Sequence, residues 1–291
     1  MITHCISTYN NLPYLKLAIQ SVRTHSYWND APFIIHAENC TDGTDEWLEE
    51  NAEAYDLEYY IDKNDSPKGI GGGMNFCADK VKTEYINFLH SDFYVSKDWD
   101  LELMKIHDKY EDEDLWVNSF RIEPNMFNSP DRVGTWLVDP SSFGAYHDDF
   151  NSRKFIDVAT SFSAQNDQEI PKGEGVSGLV KKEVWDRIGG NDPLFAPTSW
   201  DDMDLFLRMI NDGIKFVMPT KSVVYHFSAR GSHFRDEAKD KLNSKSKRQQ
   251  ESESNNAQKF IKKWGRLPQS DDQTFVIPIE GTNNPNRIPL L

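Results

Sequence analysis

The sequence Tyr85-Ile86-Asn87-Phe88-Leu89-His90-Ser91-Asp92 is the clearest indication of the fold. Its first five residues form a short, mostly apolar run of the length of a buried strand, and a polar tripeptide that ends in a carboxylate follows directly. Helical spacing of apolar residues is expected on both sides, over 74–81 and over 99–110. A strand between two helices is the repeating unit of a parallel sheet.

The same alternation of strand and helix extends over the first 120 residues. A helix is predicted after the first strand, and a glycine-rich loop is predicted at 68–73. The other predicted strands are 2–8, 33–38, 57–61 and 115–120. This order predicts an α/β fold with a mostly parallel sheet flanked by helices. In such a sheet, ligands bind beyond the carboxyl ends of the strands.

The pattern changes beyond residue 120. Residues 121–175 lack regular apolar spacing, and a second ordered block follows them. Its predicted helices and strands are 181–188, 201–211, 215–218 and 223–227. A polar stretch from 235 to 256 precedes a short amphipathic segment at 260–265. We therefore predict one α/β domain over residues 1–235 and a C-terminal polar and helical extension over residues 236–291.

The composition excludes several classes of protein. The chain has 291 residues, of which 38% are hydrophobic, and this is enough for a sizeable core. Its 32 Lys and Arg against 47 Asp and Glu give a net charge of −15, whereas surfaces that bind nucleic acid or anionic membranes are basic. Three cysteines without CxxC spacing predict reduced thiols. No apolar run approaches the ~20 residues of a membrane span. We predict a cytoplasmic protein without a transmembrane segment or a nucleic-acid partner.

A first group of polar residues follows the first two predicted strands. It consists of Ser7, Thr8, Tyr9 and Asn10 after one strand and Glu38 at the end of the next. The ends of neighbouring parallel strands meet at one edge of a sheet. A carboxylate beside an aromatic ring there suits a planar base with an N–H donor. Two ordinary capped turns would explain the same residues.

A second group, Ser91 and Asp92, follows the strand at 85–89. A carboxylate at the carboxyl end of a strand can bind Mg²⁺ or Mn²⁺ while substrate phosphates supply further oxygen ligands. An Asx turn is the structural alternative. His226, near the end of the last predicted strand, is a candidate second metal ligand, although a single histidine is more often structural.

A third group lies in the segment Trp200-Asp201-Asp202-Met203-Asp204-Leu205. Its acids stand at the start of a predicted helix, where the helix dipole alone would favour them. Adjacent carboxylates also repel each other, which raises the pKa of at least one of them towards values that suit a general base.

The order of these groups resembles that of the family 2 glycosyltransferases, which have the GT-A fold. The resemblance covers about residues 2–226, and each of its motifs is weak by itself. The similar segments, in the order of the family, are 6–11, 34–44, Asn75 with 84–92, 178–192 and 200–205.

The resemblance implies transfer of a sugar, with inversion, from a nucleotide-diphospho-sugar to a saccharide or other hydroxyl acceptor. A UDP-sugar is the first candidate donor. It also implies Asp202 as the catalytic base with Asp201 beside it, and Mn²⁺ or Mg²⁺ held by Asp92 and His226. The implied nucleotide-sugar ligands are Ser7, Thr8, Tyr9, Asn10, Glu38, Asn75, Ser91 and Asp92.

Three residues depart from the family's pattern. His90 stands where the first acid of the DxD motif is usual, Met74 stands where many relatives have an arginine, and Asp201 replaces a glutamate. A non-catalytic relative that binds nucleotide sugars is therefore an alternative. A sugar-phosphate nucleotidyltransferase is a weaker one, because residues 8–13 contain none of the Lys, Arg or Gly that its first loop would need.

Overall fold

The structure, a computed structural model, describes residues 1–126, 133–171, 177–228 and 247–265. Its strands are β1 (Ile2–Thr8), β2 (Phe33–Glu38), β3 (Glu58–Asp62), β4 (Tyr85–Leu89), β5 (Phe93–Val95), β6 (Leu115–Val117), β7 (Phe120–Pro124), β8 (Thr135–Val138), β9 (Glu169–Ile170), β10 (Gly178–Lys181), β11 (Lys215–Pro219) and β12 (Val223–His226). Its helices are α1 (Leu12–His25), α2 (Thr44–Asn51), α3 (Gly69–Lys80), α4 (Trp99–Lys109), α5 (Ser152–Gln165), α6 (Lys182–Ile188), α7 (Asp201–Asn211) and α8 (Lys247–Trp264), with a 3₁₀ turn at Pro193–Phe195.

The larger of two sheets has eight strands in the order β3-β2-β1-β4-β10-β6-β11-β9. Strands β3, β2, β1 and β4 run parallel to one another, as do β6 and β11. The mostly parallel α/β sheet predicted from the sequence is therefore confirmed. Sequence analysis missed β10, which runs antiparallel between β4 and β6.

Helices cover both faces of this sheet. On one face, α1 and α4 bury apolar residues such as Leu15, Ile19 and Leu103. On the other face, α3, α6 and α7 pack with Trp185 and Phe206, and α8 adds the fully buried Phe260. The apolar residues of α1 recur three to four positions apart, so one side of the helix faces the sheet.

The smaller sheet has the order β5-β12-β7-β8, and α5 packs against it through Phe155 and Ala159. Residues 121–175, where the sequence loses the regular alternation, thus contain most of β7 together with β8, α5 and β9, which were not predicted. Residues Phe155, Val158, Ala159 and Phe162 of α5 recur at helical spacing, so the signal for α5 was present in the sequence. The single strand predicted at 115–120 is two strands, one in each sheet.

The glycine-rich stretch at 68–73 is not a loop, as was predicted, but the start of α3. Its glycines serve close packing: a Cβ on Gly73 would lie 1.9 Å from Ser7 Oγ, and one on Gly69 would lie 1.6 Å from the carbonyl oxygen of Pro197. The helix can therefore lie directly against β1 and against the segment before α7.

The C-terminal part is more regular than the sequence suggested, because the amphipathic segment at 260–265 is the end of the longer helix α8. The predicted domain boundary at 235/236, most of the polar stretch and the last 26 residues lie outside the described residues. All three cysteines are free and buried, as predicted. None of the helices in the described ranges is both long enough and apolar enough to cross a membrane. The cytoplasmic location stays a prediction.

Candidate active site

Three of the predicted site loops meet at the carboxyl edge of the larger sheet. Asn10 and Asn11 have positive φ angles of 58° and 76°, which turn the chain sharply after β1. The amide oxygen of Asn10 accepts a hydrogen bond from the Thr41 N–H at 2.6 Å, in the loop after β2. The amide nitrogen of Asn11 donates to Ser91 Oγ at 3.1 Å, in the loop after β4. Hydrogen bonds thus join the loops that follow β1, β2 and β4.

Residues at the end of β1 shape the wall of this edge. Thr8 is buried and its hydroxyl donates to the carbonyl oxygen of Asn10 at 2.7 Å. Ser7 and Tyr9 are half-buried. The structure thus brings Ser7, Thr8, Tyr9 and Asn10 to one edge, and their contact with a nucleotide stays a prediction.

Glu38 lies at the end of β2 and is only 4% exposed. Its carboxylate accepts hydrogen bonds from the backbone N–H groups of Lys68 and Gly69, at 2.7 and 2.8 Å. These N–H groups lie at the start of α3, where backbone N–H groups have no hydrogen-bond partner within the helix. The helix dipole also favours an anion at this end. Glu38 therefore fixes the start of α3, and its predicted contact with the base is untested.

We expect Glu38→Ala to lower the free energy of unfolding by about 1.5–3 kcal/mol, because hydrogen bonds to a charged acceptor contribute about that much. Asp100→Ala is a matched control. Its buried carboxylate also accepts two backbone N–H groups, those of Tyr27 and Trp28, in the loop that leads into β2 at the other end of the strand. Urea unfolding and donor titration measure both variants. If Glu38 also reads the base, only Glu38→Ala loses donor affinity; equal donor affinity in the two variants would remove that role.

The side-chain amide of Asn75, on α3, forms two hydrogen bonds with the backbone of Asn191. The amide nitrogen donates to the Asn191 carbonyl and the amide oxygen accepts from the Asn191 N–H, both at 2.8 Å. Asn75 therefore ties α3 to the segment between α6 and α7. Its direct contact with the donor, predicted from the resemblance, stays a prediction.

Asp92 lies where the chain passes from one sheet to the other, between β4 and β5. Because β12 pairs with β5 in antiparallel register, His226 comes beside it, and His226 Nε2 is 3.5 Å from the Asp92 carboxylate. The other ring nitrogen, Nδ1, donates to the Glu123 carboxylate at 2.7 Å. The structure thus brings together Asp92 and His226, as predicted, and adds the buried Glu123.

These groups form a buried cluster of charges. Burial alone would raise the pKa of the Asp92 carboxyl, but the charge of His226, its hydrogen bond and the charge of His90 lower that pKa to about 2. Burial lowers the pKa of His226, but the charges of Asp92 and Glu123 outweigh it and raise this pKa to about 9. Asp92 is therefore an ionised carboxylate at neutral pH.

The donor set around Asp92 fits one kind of metal site. Among the described residues, no group of three or more His, Cys, Asp and Glu side chains is arranged to hold a metal ion. Mg²⁺ is often bound by one or two carboxylates together with substrate phosphates, and the ionised Asp92 can supply one of these. His226 has a carboxylate on each ring nitrogen, so this arrangement leaves it no free lone pair. Both metal-ligand assignments stay predictions.

Asp201 and Asp202 open α7, directly after two residues in the left-handed region, Ser199 (φ 80°) and Trp200 (φ 69°). Burial, together with the charge of Asp202, raises the pKa of Asp201 to about 7. Burial also raises the pKa of Asp202, although the Met203 N–H and the charge of Arg121 lower it. Because the charge of Asp202 contributes to the high pKa of Asp201, Asp202 is the member that ionises first. The predicted rise in pKa within this pair is confirmed.

Arg121 connects the acid pair to the Asp92 loop. It is 5% exposed, its guanidinium carbon lies 5.5 Å from the ring centre of Phe93, and its charge acts on Asp202. Sequence analysis missed both Arg121 and Glu123. The available signal was the pattern of β7, Phe-Arg-Ile-Glu-Pro, in which two charged residues alternate with apolar ones and so share one face.

Asp204, the third acid of the motif, has a different role. It is fully buried and its carboxylate receives Arg208 Nε at 2.8 Å and Trp264 Nε1 at 2.9 Å, with Lys263 Nζ at 2.6 Å. These contacts join α7 to α8, so Asp204 stabilises the packing of the two helices.

Comparisons with known proteins identify the family of the chain. Residues 3–166, more than half of the chain, match the family model described as Glycosyl transferase family 2. The chain belongs to this family. The family predicted from the sequence is therefore confirmed. No curated protein sequence is similar enough to the chain to count as a match.

Solved structures of TarS from S. aureus have a similar fold. One TarS structure has a TM-score of 0.52 and 12% identity, and the similarity covers 77% of this chain and 36% of that one. TarS 1-349 in complex with UDP has a TM-score of 0.53 and 12% identity, covering 77% and 59% of the two chains. The complex with UDP-GlcNAc has a TM-score of 0.52 and 14% identity, covering 78% and 60%. The chain thus spans about a third of the length of the first and about three fifths of the others. This likeness confirms the GT-A-like fold.

Proposed function

We propose that the chain transfers a sugar from a nucleotide-diphospho-sugar to a hydroxyl acceptor, with inversion at the anomeric carbon. The observation that carries the proposal is the position of Arg121. This guanidinium acts on Asp202 and lies against Phe93, the residue after Asp92, so the acid pair and the Asp92 loop both lie near Arg121. A base and a diphosphate-binding carboxylate close to each other are what sugar transfer from such a donor requires.

The donor of first choice is a UDP-sugar. TarS structures of similar fold hold UDP and UDP-GlcNAc. In this chain, the residues at the ends of β1 and β2 would hold the nucleoside, as the sequence predicts. A saccharide or another hydroxyl compound is the proposed acceptor.

In the proposed mechanism, Asp202 removes the proton of the acceptor hydroxyl as the hydroxyl attacks the anomeric carbon. Burial raises the pKa of both carboxyls, and the charge of Asp202 adds to the rise at Asp201, so we assign the negative charge of the pair near neutral pH to Asp202. Arg121 beside it favours the ionised form. A divalent cation held by Asp92, with His226 next to it, would offset the negative charge of the diphosphate leaving group.

A panel of nucleotide-diphospho-sugars tests the proposal, beginning with UDP-GlcNAc. A ligand at a hundred times its dissociation constant adds about 2.7 kcal/mol to the free energy of unfolding, so the matching donor should raise Tm by several degrees. Release of the nucleoside diphosphate, with and without Mn²⁺, is then measured with that donor. Stabilisation without any release, with a panel of acceptors present, would favour the non-catalytic binding protein, and no stabilisation by any donor would contradict both functions.

A further inference from the structure

Helix α8 packs on the segment that leads into the acid pair. Asn256, on this helix, is 1% exposed, and its amide nitrogen lies within hydrogen-bond distance of three backbone carbonyls in that segment. These are the carbonyls of Phe195, Thr198 and Ser199, at 2.7, 2.8 and 3.1 Å. A buried amide needs such partners, and here both of its hydrogens are used on one stretch of backbone.

Further hydrogen bonds join the same two elements. Ser252 Oγ donates to the Thr198 carbonyl at 2.6 Å, and Trp200 Nε1 donates to the Glu253 carbonyl at 2.9 Å. Lys259 Nζ donates to the amide oxygen of Asn256 at 2.8 Å and so orients that amide. The segment is therefore held by Ser252, Glu253 and Asn256, which span little more than one turn of α8.

This segment has a conformation that needs external support. Ser199 and Trp200 both lie in the left-handed region, which is unfavourable for residues with a Cβ and persists where surrounding contacts determine it. Asp201 follows immediately. The orientation of the acid pair therefore depends on the two residues that α8 holds.

Helix α8 also holds α7 on the far side of the pair. Lys263 and Trp264 contact the buried carboxylate of Asp204, two residues after Asp202. The acid pair is thus anchored to one helix from both directions. Both α7 and α8 lie outside residues 3–166, which the family model matches.

We propose that α8 positions the acid pair for sugar transfer and that Asn256 is the main positioning residue. Through the carbonyls of Thr198 and Ser199, Asn256 fixes the backbone from which Asp201 and Asp202 project. The inference deepens the proposed function and rests on it, because it assigns the position of the general base to the contacts that α8 makes on either side of the acid pair.

The test compares Asn256→Ala with Ile106→Val. Ile106 is a buried residue of α4 on the other face of the sheet, so its variant controls for a loss of stability alone. For Asn256→Ala we expect turnover to fall by roughly 10–100-fold, since a misplacement of about 1 Å can cost about 10²-fold, while donor affinity by titration calorimetry stays unchanged. Hydrogen exchange followed by mass spectrometry should show faster exchange at residues 199–204 in Asn256→Ala and not in Ile106→Val. Ser252→Ala, which removes one hydrogen bond, replaces Asn256→Ala if the latter does not fold.

The two readouts separate this inference from the proposed function. Unchanged exchange at 199–204, or unchanged turnover, in a folded Asn256→Ala variant would overturn the positioning role. If the unsubstituted protein released no UDP from UDP-GlcNAc or other donors while Asn256→Ala still increased exchange at 199–204, the anchoring by α8 would be supported and the proposed function would fail.

Discussion

Replacement of Asp202 by asparagine should lower turnover by about 10²–10⁴-fold, the usual contribution of a general base. The amide keeps the shape of the carboxylate and can still accept the hydrogen bond that Asp202 receives from the Met203 N–H at 2.8 Å. It cannot take up the proton of the acceptor hydroxyl. Donor affinity should be unchanged, because the donor residues lie at the ends of β1, β2 and β4.

Asp201→Asn is the matched control, since it makes the same chemical change at the neighbouring residue. Its effect on turnover should be smaller, because Asp201 holds a proton up to about pH 7 and Asp202 carries the charge. Turnover at saturating donor and donor titration by calorimetry separate the two effects. Near-normal turnover in Asp202→Asn would contradict the assignment of the base.

The same pair sets the direction of the pH dependence. Burial raises the pKa of both carboxyls, so lowering the pH protonates them at higher pH than ordinary aspartates. Turnover should therefore fall as the pH is lowered below neutrality. If this limb belongs to Asp202, it persists in Asp201→Asn. The effect on stability has the opposite sign. The folded state holds the proton of Asp201 more tightly than the unfolded chain does, so this contribution to folding is fully present below a pH of about 3.8 and is lost as the pH rises to about 7.

The parts of the fold that the sequence predicted are those with local signals. Strand β4 is a short run bounded by polar residues, and α7 has acids in its first turn and Gly213 after its end, so both were found. Strand β10 has no such signal. Its four residues enter the sheet between β4 and β6 only because the chain returns from about 60 residues away, which short-range periodicity does not show.

The residues of the site, like the elements of the fold, were predictable where the sequence carries a local motif. The motif order located Asp92, Asp201 and Asp202, whereas the partners of Glu38 could not be foreseen, because its carboxylate accepts from backbone groups 30 and 31 residues later in the chain. The separate roles of neighbouring acids were likewise invisible in the sequence. Asp204 and Asp202 are aspartates of the same motif, but the structure pairs the carboxylate of Asp204 with Arg208, Trp264 and Lys263.

Replacement of Asp92 by asparagine should abolish the metal dependence of donor binding. If Asp92 is the main protein ligand, Mn²⁺ should strengthen donor binding to the unsubstituted protein by roughly tenfold or more, and a factor of ten corresponds to about 1.4 kcal/mol. In Asp92→Asn this difference between Mn²⁺ and EDTA should disappear, because a neutral amide is a poor ligand for a hard divalent cation. Metal affinity without a donor should be weak in both proteins, since a single carboxylate is a poor site for a divalent cation without the phosphate oxygens of the donor.

The control must account for the acidity of the chain, because a net charge of −15 attracts Mn²⁺ to many surface carboxylates. Asp167→Asn serves this purpose: its carboxylate is exposed and paired only at the surface with Lys221, at 2.8 Å. It should behave like the unsubstituted protein. Thermal unfolding shows whether Asp92→Asn remains folded, which is expected because His226 keeps its hydrogen bond to Glu123. A folded Asp92→Asn variant whose donor affinity still responds to EDTA would contradict Asp92 as the metal ligand, and Asp92 would then serve only as the partner of His226.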